Sequence, residues 1–188
     1  MTAQDLLQSH TKHRLTVDEF LLLDREGAFG DRRTELLDGD IYHMSPKHRP
    51  HARMLGEMCY VLRQAIEAAD LKLGILMDIS VRLSDHDVPE PDLVITDAPD
   101  GEGILPGEAA RLVVEIADST RATDLGVKAS LYAAGEVPEY WVLDLQAGRL
   151  HQFWAPVAGS YTLRQEAAPG TRVEAWTLPG LAVDRFPD

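Results

Sequence analysis

The stretch Leu112–Asp144, LVVEIADSTRATDLGVKASLYAAGEVPEYWVLD, decides how this chain folds. It opens on Leu112, Val113 and Val114, runs into Glu115 and continues with Ile116. An unbroken apolar run of this kind reads as a strand covered on both faces. A carboxylate inside it is costly unless something compensates the charge. A polar turn follows over Ser119–Thr123, then a short helical pattern, Asp124–Ala134, with Gly135 as its C-terminal cap. Asp124, Lys128 and Tyr132 stand four residues apart and so share one helical face. Tyr140–Asp144 reads as a second buried strand. Strand, helix and strand make a crossover unit, and one face of it collects Glu115, Lys128 and Asp124.

A buried glutamate calls for a cation. Either the lysine of the next helix supplies it, or a metal ion does, and a metal would recruit another carboxylate. Upstream, the best-placed acid is Asp92 in PEPDLVI, residues 89–95. The two prolines hold the entering chain extended, and Asp92 then heads a short apolar strand. An acid at the start of one strand, an acid within the next and a lysine nearby is a layout suited to metal-dependent phosphodiester hydrolysis. Oxygen ligands suit a hard cation such as Mg²⁺ or Mn²⁺.

Taken together and in this order, PEPDLVI, LVVEIADST, the Asp124/Lys128/Tyr132 spacing and EVPEYWVLD resemble a known group. It is the bacterial family of small putative restriction endonucleases of the PD-(D/E)XK superfold. The resemblance runs from about Leu15 to Leu181. In the superfold at large the lysine stands two residues after the glutamate, where this chain has Ala117. The family moves that lysine to the following helix, and Lys128 matches it. Where many members carry Ser-Pro-Ser-Thr this chain has Ala117-Asp118-Ser119-Thr120, which leaves an extra acid beside the site. The resemblance implies a restriction-endonuclease-like α/β fold, a DNA substrate, and Asp92 and Glu115 as ligands of Mg²⁺ or Mn²⁺. It also implies catalytic roles for Lys128 and for Glu35, the acid before a Gly-containing turn. Read from the residues alone, Glu35 is equally a solvent-facing strand residue.

Composition bounds the reading. A chain of 188 residues, 45% hydrophobic and 26% charged, suits one soluble domain with its own core. No apolar run reaches the roughly 20 residues needed to span a bilayer. No basic start leads into an apolar core, so no secretory signal is predicted and the cytoplasm is the expected location. The lone Cys59 excludes an internal disulfide and a multi-cysteine zinc site. A formal net charge of −13 weighs against nucleic-acid binding, which rests on lysine and arginine contacts to phosphate. One basic stretch exists, Lys47, His48, Arg49, His51 and Arg53, and Lys47, Arg49, His51 and Arg53 are the predicted DNA contacts.

Along the rest of the chain, residues 1–13 carry no periodic pattern and predict a mobile tail, with residues 14–188 forming the domain. Thr16-Val17-Asp18-Glu19 is a capping box opening a helix. Thr34–Leu37, Asp38-Gly39 and Ile41–Met44 spell a hairpin, because Asp-Gly fits a tight turn with positive φ. Pro50–Ala69 is a long helix with Met54, Leu55, Met58, Leu62 and Ile66 at helical spacing. One or two strands follow within Leu71–Leu83. Asp97–Gly107, rich in Gly, Pro and acids, predicts a disordered loop or a flap beside the site. Strands at Leu150–Trp154, Tyr161–Glu166 and near Leu181–Val183 would extend the sheet in antiparallel fashion.

The expected whole is α/β: a mixed central sheet with the parallel crossover at Leu112–Asp144, helices on its faces and an antiparallel extension. The expected activity is hydrolysis of DNA phosphodiesters. Asp92 and Glu115 would hold the metal, Lys128 would steady charge, Glu35 would assist, and Asp124 and Tyr132 would support. A homodimer is expected, since two cuts need two sites. The rival reading keeps the fold and makes the chain a catalytically silent interaction or regulatory module, which the net charge favours.

Overall fold

In the computed structural model, residues 12–184 are described. The expected tail therefore falls outside the described residues except for Lys12 and His13. Both make contacts: Lys12 pairs with Asp40, and His13 Nε2 lies 3.2 Å from Glu19.

Helix α1 (Val17–Arg25) starts as the capping box dictates, with Thr16 Oγ1 accepting from the Glu19 amide and the Glu19 carboxylate accepting from the Thr16 amide. The hairpin β1 (Thr34–Leu37) and β2 (Asp40–His43) turns on Asp38 and Gly39 at φ 54° and 78°. Those positive values are what an Asp-Gly turn tolerates. Helix α2 (Arg49–Ala68) carries Pro50 in its first turn, where a missing N–H costs nothing.

A six-stranded sheet follows in the order β10-β9-β8-β7-β5-β3. Its strands are β3 (Gly74–Met77), β5 (Leu93–Thr96), β7 (Ala110–Ala117), β8 (Glu139–Asp144), β9 (Arg149–Val157) and β10 (Ser160–Ala167). β7 and β8 run parallel, and the remaining neighbours run antiparallel. The connection between the parallel pair is helix α3, residues 121–134, which contains one π-turn, Asp124–Lys128. Mixed sheet, crossover and antiparallel extension are thus as the sequence predicts. Two small pairs complete the strands: β4 (Val81–Arg82) with β6 (Leu105–Pro106), and β11 (Val173–Glu174) with β12 (Ala182–Val183).

Alternation along the strands divides the core. Val114, Ile116, Trp141 and Leu143 face α2, whose Met58 and Leu62 are fully buried. Val113, Ala117, Tyr140 and Val142 face α3 and Tyr132 on the other side. Glu115 lies between Val113 and Ala117 on that second face. Here a polar site opens inside an otherwise apolar layer.

Two expectations are corrected. The segment 97–107 is no disordered flap: Leu105 is buried, its amide bonds Ser80 O at 2.9 Å, and the segment lines no part of the candidate site. Gly135 does follow the helix, but its φ is −77° and the left-handed residue is Glu136. Glycine is needed at 135 for closeness instead, since a Cβ there would come within 3.0 Å of Leu83. No described helix is long and apolar enough to cross a membrane.

Candidate active site

The antiparallel register of β5 and β7 pairs Leu93 with Val114, so the residue before β5 falls opposite Glu115. That residue is Asp92, and cross-strand partners point to the same face. Both carboxylates line one cavity of about 310 Å³. The hairpin contributes Glu35 to the same space, and the π-turn contributes Asp124 and Lys128. Each of these five side chains is buried, with relative exposures of 2–7%. Residues far apart in sequence thus converge because a strand end, a strand middle, a hairpin and a helix meet at one end of the parallel pair.

Lys128 is the hub. Its Nζ lies 2.8 Å from Glu35 Oε1 and 2.9 Å from Glu115 Oε1. Tyr132 donates from its hydroxyl to the same Glu115 oxygen at 3.0 Å. Glu35 Oε1 also accepts from the Glu90 amide at 2.8 Å. Asp124 accepts from Thr120 Oγ1 at 2.5 Å and makes no direct contact with Lys128. The lysine therefore serves the two glutamates and not its helical neighbour. π-turns recur at functional sites, and this one carries both buried charges of α3.

Asp92 is held differently. Its Oδ2 accepts from the Ile116 amide at 2.7 Å and meets His51 Nε2 at 3.1 Å. Its Oδ1 accepts from Lys47 Nζ at 2.7 Å, and Lys47 also pairs with Asp78. Two predicted DNA contacts, Lys47 and His51, thus point at an acid instead of outward. The other two, Arg49 and Arg53, are exposed on α2. Asp78 pairs with both Lys47 and Arg33.

The electrostatics separate the two central acids. Burial alone would raise Asp92, but His51 and Lys47 outweigh it and hold the group at about 2. Burial pushes Glu115 up to about 8; Lys128 opposes this, while Asp92, Asp124 and Glu35 add to it. Burial would lower Lys128, yet Glu115 and Glu35 carry it above its ordinary value. The lysine stays charged at any working pH and is no general base. Tyr132 is raised well above its ordinary value by burial and by Glu115, so it remains a donor.

Among the described residues, six carboxylates and two lysines line the cavity. This surplus of buried negative charge, with oxygen as the donor atom, fits a hard divalent cation. Among the described residues no three Asp, Glu, His or Cys side chains are grouped to enclose an ion by themselves. An ion here would rest on Asp92 and Glu115 and fill its remaining positions with water, as Mg²⁺ commonly does.

Comparison with known proteins bears on the family and the fold. A family model described as Uma2, putative restriction endonuclease, matches residues 17–185. In fold, the chain is similar to a crystal structure of a putative nuclease belonging to DUF820 from Anabaena variabilis ATCC 29413. The TM-score is 0.64 at 16% identity, covering 86% of this chain and 89% of that one. No curated protein matches.

Proposed function

The chain belongs to the Uma2 family of putative restriction endonucleases, and on that premise we propose that it hydrolyses DNA phosphodiester bonds with Mg²⁺ or Mn²⁺ at the Asp92–Glu115 cavity. One observation carries the reading: Glu35, Asp92, Glu115, Asp124 and Lys128, drawn from four separate elements, are buried around a single cavity. Burying that many ionisable groups without function would be an expensive way to hold a fold.

A cation held by Asp92 and Glu115 would supply the Lewis acid that polarises the phosphoryl oxygen and acidifies a water. The chain's own groups divide the remaining work. Asp92, held ionised by Lys47 and His51, is ready as a ligand without first losing a proton. Glu115 is oriented by Lys128 and by the Tyr132 hydroxyl. The Lys128 ammonium, pinned by two glutamates, faces the cavity as a fixed positive charge and stabilises the charge that develops on the phosphoryl group. Glu35 keeps that ammonium in place and is itself fixed by the Glu90 amide. Its position would also let it orient the attacking water.

Nicking of supercoiled plasmid in Mg²⁺ and in Mn²⁺, by wild type, Asp92→Ala and Glu115→Ala, tests this. Expected is nicking by wild type and none by either variant. Equal activity in all three, or none with any DNA offered, would overturn it. Two observations favour the silent-module rival: Lys47 already occupies an oxygen of Asp92, and the net charge is −13. Calorimetric titration with Mn²⁺ separates the two, because a silent module has no reason to bind the ion and a nuclease loses that binding in Asp92→Ala. Cutting both strands of a duplex calls for two sites, so a homodimer accompanies that form of the activity, and sedimentation would report the mass.

A further inference from the structure

The rim of the cavity carries an exposed aromatic ring, that of Tyr42. Hairpin register pairs Tyr42 with Glu35, and partners across a pair share a face. Glu35 reaches Lys128 inside the cavity, so Tyr42 stands on the same side of the hairpin, at the opening. It lines the cavity and is 51% exposed. Among the described residues its ring stacks on no other and its hydroxyl makes no hydrogen bond; what it does feel is the charge of Lys12. Val127, on the π-turn, lines the same cavity and is 56% exposed. Single exposed apolar residues are ordinary on a protein surface. Two at the opening of one cavity, with Met44 and Pro46 beside them in its lining, are a surface of a different kind.

The cations tell the complementary story. Duplex DNA is gripped by neutralising several phosphates along its backbone. Among the described residues no arginine lines this cavity, and each of its two lysines already faces two carboxylates, Lys47 Asp78 and Asp92, Lys128 Glu35 and Glu115. The protein as a whole carries −13. Stacking of bases on aromatic rings is the alternative grip, and it is open only to bases released from a duplex. We propose that the site takes an unpaired nucleic-acid strand, with a nucleobase stacked on Tyr42 and the neighbouring phosphodiester lowered into the cavity beside Lys128. This rests on the nuclease reading and narrows its substrate to single-stranded tails, flaps or loops. Tyr42 is then the residue that selects the substrate, by touching its base.

Fluorescence anisotropy tests it with four labelled probes, an unpaired DNA oligonucleotide, its RNA counterpart and the duplex of each, with Ca²⁺ in place of Mg²⁺ to prevent turnover. Expected is binding of an unpaired strand at least about tenfold tighter than its duplex, with about tenfold lost in Tyr42→Ala and most of it kept in Tyr42→Trp. Circular dichroism checks that each variant is folded. Should Tyr42→Ala fail to fold, Tyr42→Leu keeps the bulk of the side chain without an aromatic face and takes its place. Duplex bound as tightly as the unpaired strand, or an alanine or leucine variant binding like wild type, overturns the inference. In that event Mg²⁺-dependent nicking that disappears in Asp92→Ala would leave the nuclease reading standing. Wild type that binds none of the probes overturns the inference as well, and absence of nicking from the same preparation would then remove the nuclease reading with it.

Discussion

Glu115 and Glu139 lie on the two parallel strands of the sheet, and both are buried, at 4% and 0% exposure. Their surroundings could hardly differ more. Glu139 receives the Trp141 indole N–H at 2.6 Å on one oxygen, and the Thr177 amide and hydroxyl at 2.8 and 2.9 Å on the other. Three neutral donors satisfy it, and it ties β8 to the segment that precedes β12. Glu115 shares one oxygen between Lys128 and Tyr132 and has Asp92, Asp124 and Glu35 close enough to push its pKa up. A buried carboxylate is therefore no mark of function by itself. What distinguishes the second is that its neighbours leave negative charge over, and that charge faces a cavity instead of a packed layer.

The sharpest way to break this contrast is to neutralise each acid in turn. Glu115→Gln should lower nicking by a factor of about a hundred to a thousand, the scale on which loss of one preorganised electrostatic group is felt. Glu139→Gln should leave the rate per folded molecule as it was. Plasmid nicking normalised to folded protein reads both. If Glu139→Gln costs as much activity as Glu115→Gln, the two sites are not separate in kind.

Lys128→Met carries the next largest effect. It leaves Glu35 and Glu115 buried without their shared cation, and breaking a buried pair this way costs about 3–5 kcal/mol. Urea unfolding should show that loss in metal-free protein, and the double variant Lys128→Met with Glu35→Gln should recover part of it. A loss under about 1 kcal/mol would mean that water reaches the cluster and screens it.

How far the sequence already told this story depends on distance along the chain. The Glu115 strand, the crossover helix and the second strand were legible because apolar runs and helical spacing are local. The Asp-Gly turn was as informative: a two-residue loop fixes register, so Tyr42 opposite Glu35 could have been derived before any coordinates. The targets of Lys47 and His51 could not. Both sit in a basic stretch that reads as a phosphate surface, and only the fold brings Asp92 to them from more than forty residues away. The π-turn was illegible too, since spacing by four residues suits an α-turn and a π-turn alike. Residues 97–107 misled through composition: one buried leucine paired against Val81 anchors a segment whose acids and glycines suggest disorder.

pH sharpens the comparison without mutating anything. Glu115 binds its proton more tightly folded than unfolded, with a pKa of about 8 against an ordinary 4.5. The stability this contributes is complete below about pH 4.5 and is lost as pH rises through 8. Over that window metal-free protein should lose stability steadily as pH rises. Asp92, held at about 2, contributes in the opposite sense, and its share is lost only as pH falls below about 4. Thermal melts from pH 5 to 8 should therefore fall in EDTA, flatten in Mg²⁺, which favours the ionised carboxylate, and flatten in Glu115→Gln. A slope that Mg²⁺ leaves unchanged would place the responsible group away from any ion.

The smallest effect belongs to the neutral half of the contrast. Glu139→Gln keeps one acceptor oxygen and turns the other position into an N–H that faces existing donors. Either Trp141 or Thr177 then loses its partner, at a cost of about 1–3 kcal/mol for a buried donor left unsatisfied. Because no ion and no buried ammonium are involved on that face of the sheet, this loss should be the same at pH 5 and pH 8, in EDTA and in Mg²⁺. Chemical unfolding under those four conditions measures it. A Glu139→Gln penalty that changed with Mg²⁺ would mean that the ion's field reaches through the sheet, and the two carboxylates would then have to be treated as one coupled system.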